Sequence, residues 1–305
     1  MIQYDLITPL LKKAPMKRAF IELHLSVLLA GFTGLFGRLI TMNEGVLVWW
    51  RVFIASVLFY IILKAMGIFK RYPLPDLIRM GVVGSLLCVH WVFFYGSIKA
   101  ANVSVGVVCY SLTGFFTALL EPLILKRRFS VKELFFGSMA VLGILLIFHF
   151  DSRYRLGIAL GVMSSLWAAL FTIGNKVIIP RYPSMPVLLF YEITGGLVFL
   201  TLLAPVYLFF VDVGPLLPDG MNFFWLVIFA FFCTILLQWF QINALQKISA
   251  FTVNLSYNLE PIYTIILASL FFGEMNELTI AFFAGLGIIM LSVLLQMWSV
   301  LRRGT

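Results

Sequence analysis

Several polar side chains stand inside long apolar runs of this chain, where polarity is costly. Glu260 follows Asn254, Tyr257 and Asn258 in the run FTVNLSYNLEPIY. Read as a membrane span, this run places Glu260 about nine residues, or about 14 Å, from one end, near mid-bilayer. A carboxylate there costs about 2.5–3.5 kcal/mol unless it is protonated, paired or hydrated. It can exchange a proton, or it can meet a cationic group of a solute. The bland alternative is a carboxyl satisfied by its Asn and Tyr neighbours. Pro261 removes a backbone donor and leaves a carbonyl one turn back for a ligand or water. A second run carries Asn102, Gly106, Tyr110, Thr113, Thr117 and Glu121 at helical spacing, so all six share one face. That face suits a cavity lining or a polar helix contact. His90 and Trp91 add a third polar patch, near Ser97. The substrate-binding candidates are therefore His90, Trp91, Tyr110, Thr113, Asn254, Tyr257, Asn258 and Glu260. Glu260 is also the proton-coupling candidate.

Arg51 and Glu192 are two further charges within apolar runs. They lie at different depths, so a direct ion pair between them is not expected. Both are gate candidates, and simple snorkelling of Arg51 to the interface is the competing reading. Other chemistries lack their parts. All five aspartates, Asp5, Asp76, Asp151, Asp212 and Asp219, fall in tails, loops or span ends, which excludes a paired-aspartate protease within the membrane. The sequence contains no H-E-x-x-H, no G-x-S-x-G and no Walker A pattern. Cys88, Cys109 and Cys233 all fall inside spans, which argues against a disulfide framework or a cysteine zinc site. No cofactor, metal or catalytic residue is expected. Glu121 beside Lys126, Arg127 and Arg128 is the single cluster on which an enzyme reading could rest.

These residues need long apolar elements to hold them. With 62% hydrophobic and 11% charged residues and a mean hydropathy of +1.05, the chain cannot cover a soluble surface with polar groups. Ten spans are predicted, near 19–40, 46–68, 77–97, 102–125, 131–150, 156–179, 186–211, 222–243, 251–272 and 279–299. The net charge of +9 follows from membrane orientation and calls for no nucleic acid. With both termini cytoplasmic, the outside holds only Arg38, Lys99, Arg153 and Arg155, Arg51 lies within a span, and the other 17 of 22 basic residues face inward. The first span is too long for a signal-peptide core and is read as retained.

The spans come as two copies. VHWVFFYGSIKAANVSVGVV, from Val89, resembles LQWFQINALQKISAFTVNLS, from Leu237. Trp91 falls on Trp239 and Gly137 on Gly285, both 148 residues apart, while Arg38 pairs with Lys176 at 138 and Arg51 with Glu192 at 141. His90 falls on Gln238, with Gln241 a turn further on. Five spans per copy is odd, so the second copy enters the bilayer from the opposite side. Inverted repeats place a binding site between the halves of carriers that work by alternating access. The expected fold is an all-α integral membrane protein of ten transmembrane helices in two inverted five-helix repeats. The expected organisation is a cytoplasmic tail over 1–18, repeats over 19–150 and 156–299, and a cytoplasmic end over 300–305.

The segment NLEPIYTIILASLFFGE (Asn258–Glu274), the stretch SSLWAALFTIGNK (Ser164–Lys176) and the glycine-bearing last span resemble the drug/metabolite transporter superfamily, EamA type. The second copy is the more typical. Thr113 stands where the first copy would match Pro261, and Lys126 where it would match Glu274. The resemblance implies a carrier of small metabolites in the cell membrane, plasma or inner, with no enzyme activity. Export of amino acids or related amphipathic solutes is what such relatives do. The partners expected are a small-molecule substrate and the lipid bilayer. The alternatives are a membrane-embedded lipid-modifying enzyme and a non-transporting receptor or scaffold subunit.

Overall fold

The computed structural model describes residues 16–148, 154–272 and 280–303, and among these the regular structure is entirely helical. The first fifteen residues of the tail, Asp151, Arg153 and Glu274 lie outside the described residues. The helices run in the order α1 Met16–Leu39, α2 Glu44–Ala65, α3 Leu74–Ala100, α4 Val103–Tyr110, α5 Thr113–Ile124 and α6 Val131–Phe148. They continue as α7 Arg155–Ile178, α8 Met185–Phe210, α9 Gly220–Ala230, α10 Leu237–Leu245, α11 Ala250–Ser256, α12 Glu260–Phe272 and α13 Ile280–Arg303. Helix starts follow ordinary capping chemistry. Asn43 Oδ1 accepts from the Gly45 and Val46 N–H groups, Asn102 from Val105, Asp219 from Asn222 and Ser249 from Thr252. α3 and α8 carry proline in their first turn, where its missing N–H costs nothing.

Seven segments are long and apolar enough to cross a membrane: Met16–Leu39, Glu44–Ala65, Leu74–Ala100, Val103–Ile124, Arg155–Arg181, Met185–Phe210 and Gly220–Leu245. Helices also occupy 131–148, 250–272 and 280–303, where the sequence predicts the fifth, ninth and tenth spans. The C-terminal half of α8 exposes Val198, Leu202, Val206, Phe209 and Phe210, an apolar surface suited to lipid.

Three expected spans are not single α-helices. α4 and α5 are separated at Ser111–Leu112, where the Ser111 and Leu112 N–H groups bond three residues back instead of four. α9 passes into α10 through a π-helical turn, Phe231–Leu236. α11 passes into α12 through a 3-10 turn, Tyr257–Leu259. Proline at 261 explains the last break. It has no N–H for the Tyr257 carbonyl, and the Glu260 N–H bonds that carbonyl in a tightened turn. The carbonyl expected to be free for a ligand is thus already engaged.

Glycine sets the tightest helix crossings. At the α3–α8 crossing Gly81 lies on Gly195, and Gly84 lies on the Glu192 backbone with no room for a methyl group. On α7, Gly157 meets Ala101 and Gly161 meets Cys109. Gly143 and Gly285 pack against each other's carbonyls where α6 meets α13. Close backbone approach of this kind is how helices associate where lipid removes the hydrophobic drive.

Candidate functional site

A cavity of about 40 Å³, room for two or three water molecules, lies between α1, α2, α3, α7, α10 and the broken helices. Aromatic rings make much of its wall: Trp91, Phe94 and Tyr95 from α3, Tyr110 from α4, Phe171 from α7 and Tyr257. His90 packs on Tyr110 at 5.2 Å between ring centroids, and Tyr110 meets Tyr257 edge-on at 6.1 Å. His90 Nδ1 lies 2.8 Å from Ser164 Oγ and 3.1 Å from the Ser164 carbonyl, which ties α3 to α7. A carbonyl only accepts, so Nδ1 is assigned the ring hydrogen.

Two charged side chains meet this space, and they are held in opposite ways. The Arg51 guanidinium is fully buried. It donates from Nε to Thr234 Oγ1 at 2.6 Å, from Nη1 to Tyr95 Oη at 2.7 Å and from Nη2 to the Cys233 carbonyl at 2.6 Å. Its faces lie 3.9 Å from the Trp91 ring and 4.1 Å from the Phe229 ring. Arg51 therefore does not snorkel to the interface. The Cys233 carbonyl it holds belongs to the π-helical turn, where the regular hydrogen-bond ladder is interrupted. Glu260 is 2% exposed, and among the described residues its one hydrogen bond is a 3.4 Å approach from Thr33 Oγ1. The Thr33 hydroxyl also donates to the Ala30 carbonyl at 2.7 Å, and one proton cannot serve both. Glu260 is nearly unmet by donors.

Of the residues singled out from sequence, His90, Trp91, Tyr110, Tyr257, Glu260 and Arg51 surround the cavity. Thr113, Asn254, Asn258 and Glu192 are buried elsewhere. Thr113 Oγ1 donates to the Tyr110 carbonyl at the α4–α5 break. Asn254 accepts from Thr172 Oγ1 at 2.9 Å and donates to Thr117 Oγ1 at 2.7 Å, a clasp joining α11 to α7 and α5. Glu192 is fully buried with its carboxylate near the Asn175 amide, but no hydrogen bond of good geometry reaches either oxygen. Sequence reasoning left Thr33, Phe94, Tyr95, Phe171, Gln238 and Gln241 out of the site. Gln238 could have been found as the repeat mate of His90. Glu121 accepts from Arg127 Nη2 at 3.0 Å and from the Phe251 N–H at 3.2 Å, so it caps α11 and joins the two halves of the chain. Both contacts are structural, as is the bond from Arg127 to Glu133 at 2.7 Å.

The sequence pattern of the EamA-like transporter family matches residues 18–149 and again residues 155–298. The chain belongs to the EamA-like transporter family. It is a multi-pass membrane transporter. An uncharacterized transporter of Archaeoglobus fulgidus is 25% identical over 248 residues, covering 80% of this chain and 84% of that one. A solved crystal structure, described only as that of a protein, superposes with a TM-score of 0.68 at 15% identity, covering 92% and 96% of the two chains. That likeness concerns the fold.

Proposed function

We propose that this EamA-like transporter is a carrier that moves a small amphipathic metabolite, an amino acid or related solute, through the cavity between Arg51 and Glu260. The observation that carries the reading is Glu260, a buried carboxylate beside the cavity with no donor of its own. A solute ammonium group or a proton satisfies it, and the two compete for one site. The aromatic wall accepts the solute's apolar part. Polar and apolar recognition in one enclosed space is the ordinary make-up of a small-molecule site.

Alternating access between two inverted repeats fits the same residues. Ala30 and Thr33 line the cavity with Ala168 and Phe171, each pair 138 residues apart, the offset that relates Arg38 to Lys176. His90 lines it with Gln238, 148 residues on. The break at Ser111–Leu112 corresponds at that offset to 259–260, where α11 gives way to α12. A site built from paired positions lies on the axis about which the halves would rock. The bias of the basic residues supports cytoplasmic termini, and a cell-membrane location and export are part of the proposal.

The test starts with a thermal-shift screen of metabolites on detergent-purified protein, since a ligand of the native state raises its stability. The best ligand is then loaded into liposomes with and without the protein. Protein-dependent flux of the unchanged solute supports the carrier. A covalently altered solute would support the enzyme reading, and stoichiometric binding with no flux the receptor reading.

A further inference from the structure

The cavity is not the largest space in the molecule. A vestibule of about 550 Å³ opens beside it, lined by Gly37, Arg38, Thr41, Lys99, Asn102 and Tyr154 among others. Tyr95 stands between the two. It lines the cavity, is fully buried, and lies against Gly37, whose Cβ position is only 2.8 and 2.9 Å from two ring carbons. Its ring also meets Phe229 edge-on at 5.9 Å, and its hydroxyl is held by Arg51 at 2.7 Å.

The partners of Arg51 are a phenol, an alcohol and a backbone carbonyl. None is an anion, and among the described residues no carboxylate forms an ion pair with it. A guanidinium offers five N–H donors in a planar fork that matches a carboxylate. Burying such a charge without a counter-ion is costly, and the cost is relieved when an anion arrives. Three of the five donors are engaged, and a carboxylate on those left at Nη1 and Nη2 would form charge-assisted bonds roughly twice as strong as the one to the phenol, drawing the guanidinium off Tyr95. The phenol would lose its anchor.

We infer that Arg51 is the receptor for an anionic group of the solute, a carboxylate, and that its occupancy unlatches Tyr95 from the wall between cavity and vestibule. The inference rests on the carrier reading and names one chemical group its solute must bear. It also couples binding to opening. An empty site keeps the latch made, and a filled site releases it toward the vestibule. Tyr95 is then a positioning residue, acting through Arg51 rather than through solute contact. The other ties from Arg51, to Thr234 and Cys233, join the first half of the chain to the second, so a shift of the guanidinium would be felt by both.

The experiment places a reporter thiol in the cavity wall, Ala168→Cys, in the full chain with Cys88, Cys109 and Cys233 replaced by alanine. The protein is reconstituted in nanodiscs and treated with a charged methanethiosulfonate reagent. The probe pair is sodium acetate and acetamide, equal in shape and different in charge, at matched ionic strength. We expect slow modification without a probe, about tenfold faster modification with acetate, and no change with acetamide, a step in keeping with loss of one hydrogen bond to a charged group. Tyr95→Phe keeps the ring and loses the hydroxyl, and it should react fast with no probe and ignore acetate. Its result stands even where Arg51 variants do not fold. Equal effects of acetate and acetamide, or a Tyr95→Phe protein as protected as its parent, would overturn the inference. The readout needs no flux, so a protein that passes this test and fails in liposomes would have an anion-operated latch without being a carrier.

Discussion

Arg51 and Glu260 show two ways for a charge to exist inside a membrane protein. Arg51 makes three bonds of 2.6 to 2.7 Å and has two aromatic rings against it, while Glu260 has one long approach from a hydroxyl already committed elsewhere. Glu260 was legible in the sequence because a carboxylate within an apolar run is rare and costly. The bonding of Arg51 was not, because its partners Thr234 and Cys233 stand 183 and 182 residues away and one of them is a backbone carbonyl within a π-helical turn. Glu192 is a third case, buried with neither oxygen in a hydrogen bond of good geometry. Replacing it by glutamine removes a carboxyl that gives up no such bond. Glu192→Gln should therefore change stability by less than about 1 kcal/mol, read by thermal unfolding in detergent. A loss of about 3–5 kcal/mol, the cost of breaking a buried ion pair, would mean that Glu192 has a charged partner.

Helices as elements were legible from apolar run length, and their starts from Asn43, Asn102, Asp219 and Ser249. Their interruptions were not. Ser111–Leu112 contains neither glycine nor proline, and Phe231–Leu236 is apolar but for Thr234 and also lacks both, so no helix breaker marks either break. The polar face assumed for one continuous helix over 102–125 therefore divides. Tyr110 reaches the cavity, while Thr113 and Thr117 turn to backbone carbonyls. Asn254 lies off the cavity because neighbouring helices offer it the Thr172 and Thr117 hydroxyls, which face arithmetic ignores. Glycine contacts give a sharper test at this scale. Gly84→Ala forces a methyl group into the Glu192 backbone and should cost about 1–3 kcal/mol by overpacking. Gly287→Ala, in α13 with nothing within 4 Å of its Cβ position, should stabilise by up to about 1 kcal/mol through helix propensity. Comparing the two unfolding midpoints checks this, and a stabilising Gly84→Ala would mean that α3 and α8 cross less closely.

For the whole molecule, the internal repeat was the most telling sequence signal. Residues far apart in the chain but paired by one offset, such as His90 with Gln238 and Ala30 with Ala168, meet around one cavity. What the repeat could not tell was how much of that cavity is aromatic wall, because Phe94, Tyr95 and Phe171 look like ordinary apolar filling in a chain that is 16% aromatic. The cavity, about 40 Å³, is smaller than an amino acid, so the proposed carriage requires it to widen. In that proposal Glu260 is the point where proton and solute alternate. Exchange of labelled solute across liposomes, followed against pH, tests this most directly. Wild-type exchange should depend on pH. Glu260→Gln keeps the shape of the side chain but cannot bind and release a proton, so its exchange should be flat across pH, while Glu260→Ala should stop exchange in a protein that still inserts and folds. A Glu260→Gln protein that kept both the wild-type rate and its pH profile would contradict the account.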